Sequence, residues 1–184
     1  MLFVKIAVVF LILGVSFAQI RVPGSCPNVT GLTFDGDRGF GLWYEYASNQ
    51  DKFKNTARCI KYHMYPSKNG LIFARTSIIS KKNGVLSEVE AEATVRKPDN
   101  MVHAIVRDPI LGLQDILYFY LKEICDNYLI TWNCNNYGSY NEQAITIYTR
   151  QTNPSTDVIQ RGQQLAMRMG LPQAKFIKYD NNCS

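Results

Sequence analysis

The chain has 184 residues, 46% of them hydrophobic and 19% charged, with a formal net charge of +5. That length suits one domain with a substantial core. The mild basic balance is spread along the chain, with no run longer than Lys81-Lys82 and no basic stripe interleaved with stacking aromatics, which argues against a nucleic-acid surface.

Met1 to Ala18 carries Lys5, an apolar run from Ile6 to Val15, and then Ser16-Phe17-Ala18. A short apolar core followed by small residues three and one before a cut is the pattern of a secretory signal peptide. A transmembrane helix needs about 20 apolar residues, and Gln19-Ile20-Arg21 ends this run too early. The expected organisation is a leader over 1–18 and one secreted, extracellular domain over 19–184, whose charge falls to +4 because the leader contributes only Lys5.

Five cysteines follow: Cys26, Cys59, Cys125, Cys134 and Cys183. A secreted chain oxidises most of its cysteines, and an odd number leaves one free or paired between chains. None has Cys-x-x-Cys spacing, so no metal site is expected. Asn28-Val29-Thr30 is a glycosylation sequon. Asn182-Cys183-Ser184 also fits but is terminal, and Asn153-Pro154-Ser155 is blocked by its proline.

From residue 41 onward, apolar runs of strand length alternate with turn signals. The segments are 43–48, 59–65, 71–80, 85–96, 101–107, 114–124, 128–133 and 143–150, rich in Tyr, Ile, Val, Phe and Thr. Asn69-Gly70 and Asn83-Gly84 read as hairpin turns with positive φ at both positions. Eight antiparallel strands in sequence order predict an all-β, up-and-down β-barrel, which removes both sheet edges and has room for one small ligand. An immunoglobulin-like sandwich fits less well, lacking two mid-strand cysteines with a tryptophan between them. Pro154-Ser155-Thr156-Asp157 then starts a helix whose stripe is Val158, Gly162, Leu165, Ala166 and Met169, stopped by Gly170 and Pro172. That α-helix is expected to pack outside the barrel, and a short strand over 175–179 follows.

The stretch Gly41-Leu42-Trp43-Tyr44-Glu45-Tyr46 carries the most information. Glycine permits a close backbone approach, and the Trp43 indole offers a plate on which the guanidinium of Arg150, after the last long strand, can stack. Trp43 and Arg150 are expected to be structural, plugging one end of the barrel. Together with Cys26-Pro27, Phe34-Asp35, Phe53-Lys54-Asn55, Arg58-Cys59-Ile60, Asn69-Gly70-x-Ile72, Glu90 to Thr94, and Asn127-Tyr128 leading to Cys134, this order of motifs resembles the lipocalins, in the apolipoprotein D and bilin-binding (insecticyanin-like) branch. The resemblance covers nearly all of 19–184. It implies a lipocalin calyx, the disulfides Cys26–Cys134 and Cys59–Cys183, and Cys125 as the odd thiol. The chain departs from its relatives at Glu123-Ile124-Cys125, where they carry Thr-Asp-Tyr, and this places the extra cysteine in the turn between the sixth and seventh strands.

No catalytic constellation is apparent, and the chain reads as no enzyme. The two histidines, His63 and His103, stand apart from any nucleophile, and no Gly-x-Ser-x-Gly elbow occurs. Asp35, Asp37, Glu88, Glu90 and Glu92 read as solvated faces. His63 as a haem ligand is a minor alternative. Strand alternation points Thr146 and Tyr148 inward if Trp43 and Arg150 point inward. Alignment to relatives adds Tyr62 and Met64, then Ile72, Ala74 and Thr76, then Val89 and Ala91. Val102 and Ala104 follow, then Tyr118 and Tyr120, with Trp132 or Tyr128 from the seventh strand. Each residue could equally be plain barrel packing. The resemblance implies a secreted carrier of a small hydrophobic ligand: a lipid or fatty acid, a sterol- or retinoid-like molecule, or a bilin pigment, with no required cofactor. The alternative is a secreted interaction or scavenger lipocalin acting through its loops, with a cell-surface receptor or a disulfide-linked partner engaged through Cys125.

Overall fold

The computed structural model describes residues 20–33, 36–50, 53–67, 69–108, 112–121, 127–168 and 175–184. The leader, Phe34-Asp35, Cys125, Met169, Gly170 and Pro172 lie outside the described residues. Ten strands are described: β1 (Ile20–Pro23), β2 (Gly41–Ser48), β3 (Ala57–Pro66), β4 (Ile72–Ser80), β5 (Leu86–Arg96), β6 (Met101–Asp108), β7 (Gly112–Tyr120), β8 (Tyr128–Tyr137), β9 (Tyr140–Thr149) and β10 (Ile177–Lys178). A helical turn, α1 (Gly36–Gly39), precedes β2, and α2 (Asp157–Arg168) follows β9.

Strands β2 to β9 pair antiparallel with their sequence neighbours, and β9 returns to β2, closing an eight-stranded up-and-down barrel. The predicted β-barrel is therefore the observed fold, and it departs from the sequence reading in three places. β8 continues to Tyr137 and turns back through Gly138 (φ +72°), so the polar run 134–137 is strand rather than loop. Composition hides it, because the ladder to β9 supplies what the side chains do not. β1 adds to β9 at Tyr140–Gln143 beyond the point where β2 leaves it. β10 lies within the short strand expected over 175–179 and does the same for β2 at Ala47–Ser48. Finally, only glycine takes positive φ in the two Asn-Gly turns (Gly70 +71°, Gly84 +70°). These are longer loops, closed by Ser67 N–H to Leu71 O and Ser80 N–H to Val85 O, instead of two-residue hairpins.

The barrel end formed by the start of β2 is plugged. The Arg150 guanidinium lies 3.6 Å from the centroid of the Trp43 ring. It donates to the carbonyls of Leu42 (2.8 Å), Phe40 (2.8 Å) and Arg38 (2.6 Å). Trp43 is fully buried, and its indole N–H donates to Gly39 O at 2.7 Å. Gly41 has φ +98°, and a Cβ there would sit 3.1 Å from an Arg150 nitrogen, so the plug needs glycine on both counts.

Outside the wall, α2 buries Val158 and Ala166 against Tyr46, Ile130, Trp132, Ile145 and Ile147. Gly162 sits so close that a Cβ would be 2.7 Å from Ile147 Cδ1, which lets the helix lie flat on the barrel. Two disulfides, Cys26–Cys134 and Cys59–Cys183, tie both ends of the chain to the wall, as the resemblance implied. The segment 24–33 runs from Ser139, which accepts from Gly24 N–H, to Asn100 and Tyr120 at the plugged end. It passes the seam between β7 and β8, which pair only at Phe119–Trp132 and Tyr120–Thr131.

Replacing Arg150 with Ala strands three carbonyls and removes the stacked cation. Urea unfolding is expected to show a loss of about 2–4 kcal/mol. Arg150→Lys should recover little of it, since an ammonium lacks the planar fork that spans the three acceptors.

Candidate ligand-binding calyx

Directly paired residues on antiparallel strands share a face, so the register assigns the interior. Trp43 pairs with Tyr62, Tyr62 with Thr76, and Met64 with Ala74. Ile72, Ala74 and Thr76 pair with Ala93, Ala91 and Val89. Ala93 then pairs with Ala104, Val95 with Val102, and Val102 with Tyr118. Across the seam Tyr120 pairs with Thr131, Thr131 with Thr146, and Leu129 with Tyr148. All thirteen residues read from the sequence as calyx lining thus fall on the Trp43 face.

They do not share one environment. Met64, Ile72, Val102, Ala104, Tyr120 and Leu129 pack around Trp43 as a buried cluster, joined by Phe40, Tyr62, Ala74, Val95, Tyr118 and Tyr148. This cluster occupies the plugged half, and a cavity of about 250 Å³ opens beside it against Phe40, Ile72, Val95 and Lys97. Towards the other end Thr76, Val89 and Thr146 are only partly covered, and inward Ile116 is 40% exposed where the β7–β8 seam splays. Trp132 and Tyr128 do not add to the lining, because their register places them on the opposite face, in the cluster beneath α2. Trp132 donates there to Gln143 Oε1 at 3.0 Å.

The sequence reading passed over Glu45. Simple alternation from Trp43 would have found it. Glu45 is 6% exposed and pairs with Tyr148 across the barrel closure. A bulge between Glu45 and Ala47 puts Tyr46 in the outer cluster, while Ser48 reaches Thr146 Oγ1 at 3.3 Å. The bulge thus preserves an inward carboxylate and an inward hydroxyl on the same strand. Tyr62 donates to Glu45 Oε2 at 2.8 Å, and the Tyr62 and Tyr148 rings meet edge to face with centroids 5.0 Å apart. The Tyr118 and Tyr120 rings form a second such pair at 5.5 Å.

Burial drives the phenol pKa values of Tyr62, Tyr148 and Tyr120 well above 10, and that of Tyr118 above it. The negative charge of Glu45 adds to the rise at Tyr62 and Tyr148. All four hydroxyls therefore remain protonated donors at neutral pH.

His63 pairs with Leu42 and Arg75 on the outer face, so it is no axial ligand for a haem in the calyx. His103 is also outward and shares a 2.7 Å hydrogen bond with Asp115. Glu88, Glu90 and Glu92 lie on that face too, against Ser77, Arg75 and Arg107. Among the described residues no cluster of three or more His, Cys, Asp or Glu could hold a metal ion, and no helix is long and apolar enough to cross a membrane.

The barrel matches solved structures over most of its length. Insecticyanin from the tobacco hornworm Manduca sexta superposes with a TM-score of 0.73, at 18% identity over 89% of each chain. The chain has the lipocalin fold. H1 crustacyanin from the lobster Homarus americanus matches with a TM-score of 0.65, at 14% identity over 90% of this chain and 93% of its own. The amine-binding protein of Rhodnius prolixus, solved as its tryptamine complex, matches with a TM-score of 0.63, at 15% identity over 84% and 86%. No protein-family model matches the sequence, and no curated protein aligns with it as a sequence relative.

The buried tyrosines set an alkaline limit. Their folded pKa values lie above the unfolded value of about 10, so the unfolded chain loses these protons first. Their contribution is complete below about pH 10 and is lost as pH rises beyond it. Urea midpoints measured from pH 8 to pH 11 should fall above pH 10, and Tyr148→Phe should flatten that fall.

Proposed function

We propose that the protein is a secreted lipocalin that carries one small hydrophobic molecule in its calyx. The observation that supports this reading most directly is the asymmetry of the barrel interior. One half holds the buried cluster and is plugged by Trp43 and Arg150, while the other presents small residues, hydroxyls and solvent-accessible apolar surface. Such a cup removes apolar ligand surface from water at roughly 25 cal/mol per Å² before ordering costs. The candidates implied by the resemblance are a lipid or fatty acid, a sterol- or retinoid-like molecule, or a bilin. The ligand would lie against Thr76, Val89, Ala91 and Thr146, with the tyrosines beneath it. The amine-binding name of one structural neighbour adds small aromatic amines to that set.

Secretion is supported by the leader pattern in 1–18 and by two disulfides, which persist in oxidising compartments. Asn28 is exposed beside Cys26, where a glycan would meet only solvent. Cys125 is the cysteine outside both disulfides, and we assign it as the free thiol, with no part in ligand binding.

Native mass spectrometry of protein secreted from its own source, without delipidation, should show a defined added mass that leaves on denaturation. Visible absorption would identify a bilin. A barrel that stays empty after exposure to lipid extracts and small aromatic compounds would overturn carriage. Cys125→Ser should leave that added mass in place, and its loss in this variant would overturn the assignment of the thiol.

A further inference from the structure

A carboxylate is an unusual group to place inside an apolar barrel. Burying one costs several kcal/mol unless hydrogen bonds and charge compensate it. Glu45 is 6% exposed and lies on the Trp43 face, held there by the bulge after it. Tyr62 donates to it at 2.8 Å, and hydrogen bonds to the charged form favour that form.

The side chains around that charge are specific in size. Along β9 and β2 the interior continues from Tyr148 and Glu45 to Thr146 and Ser48, both small. Thr131 pairs with Thr146 and is equally small. A narrow molecule entering from the open half therefore meets hydroxyls first, then the Glu45 carboxylate flanked by the Tyr62 and Tyr148 rings. Those rings touch edge to face with centroids 5.0 Å apart, so an incoming group meets the pair from its open side, next to Glu45. A carboxylate beside an aromatic face attracts a cation twice, through charge-assisted hydrogen bonds and through the ring quadrupole. The same charge repels an anionic head, so a fatty acid could enter only with its tail towards Glu45.

We propose that the calyx selects a ligand with a cationic amine on an apolar or aromatic body, and that Glu45 receives the amine beside Tyr62 and Tyr148. This rests on the reading of the calyx as a carrier site and names its ligand class.

The test uses the full secreted protein and three probes: 1-naphthylmethylamine, its neutral isostere 1-naphthylmethanol, and 1-naphthoate. Titration calorimetry on the wild type should rank the amine first and the carboxylate last. A buried charge-assisted hydrogen bond contributes about 1.5–3 kcal/mol, so the amine should exceed the alcohol by about 10- to 100-fold. Glu45→Gln should erase that preference, with a circular-dichroism spectrum and urea midpoint that report a folded variant. Equal wild-type binding of amine and alcohol overturns the proposal without needing any variant. So does an amine preference that survives in Glu45→Gln. If a neutral or anionic ligand is carried but no amine binds, amine selection fails and carriage stands. If the barrel takes up no probe and carries no native ligand, both fail.

Discussion

Everything in this barrel hangs from the contact between Arg150 and Trp43. A sheet that closes on itself must do something with the end where its strands converge, because a gap there admits water to the core. Here a guanidinium stacked on a buried indole, donating to three carbonyls of the entering chain, fills the gap. Gly41 makes this geometry possible by combining a positive φ with the absence of a Cβ. The same contact joins the segment before the first barrel strand to the residue after the last, so closure of the sheet and closure of its end are one event. With that end plugged, the small inward side chains Thr76, Thr131 and Thr146 lie towards the opposite end.

The second organising feature is the sorting of side chains between the two faces. The apolar groups beneath α2 lie on β2, β8 and β9, strands that also turn Trp43, Leu129 and Tyr148 inward. Alternation alone separates them. The bulge after Glu45 matters because two consecutive residues, Tyr46 and Ala47, join the outer cluster while Glu45 and Ser48 stay with the interior. A regular strand would have turned Ser48 to the helix side. The chemistry of the calyx thus depends on an irregularity in one strand.

The chain ends complete the wall. β1 continues the partner edge of β9 where β2 departs, and β10 supplies one for β2 where β3 bulges away. Each terminal segment is fastened by a disulfide close to its added strand. The crossing segment 24–33 covers part of the β7–β8 seam, with Val29 packed on the outer cluster and Gly31 against Phe119. Edge hydrogen-bonding groups that a shorter barrel would leave bare are met by the ends of its own chain.

Strand count, order, the plug pair and the outer helix were legible in the sequence, because each rests on local periodicity or on residue types with few alternative uses. Both disulfide pairs were legible only through the family resemblance. Alternation from the plug pair gave the interior face of β9, and alignment to relatives gave that of β3 to β7 but pointed on β8 to Trp132 or Tyr128, which the register turns outward. What the sequence could not disclose was pairing. The strand character of 134–137, the edge additions of β1 and β10, and the splayed seam are properties of which backbone meets which. Glu45 belongs to both categories. Its inward direction follows from two-residue alternation after Trp43. Its burial, its bond to Tyr62 and the bulge that preserves its position exist only once β2 has met β3 and β9 in three dimensions, because hydrogen-bond register between distant strands is written in no single segment of the chain.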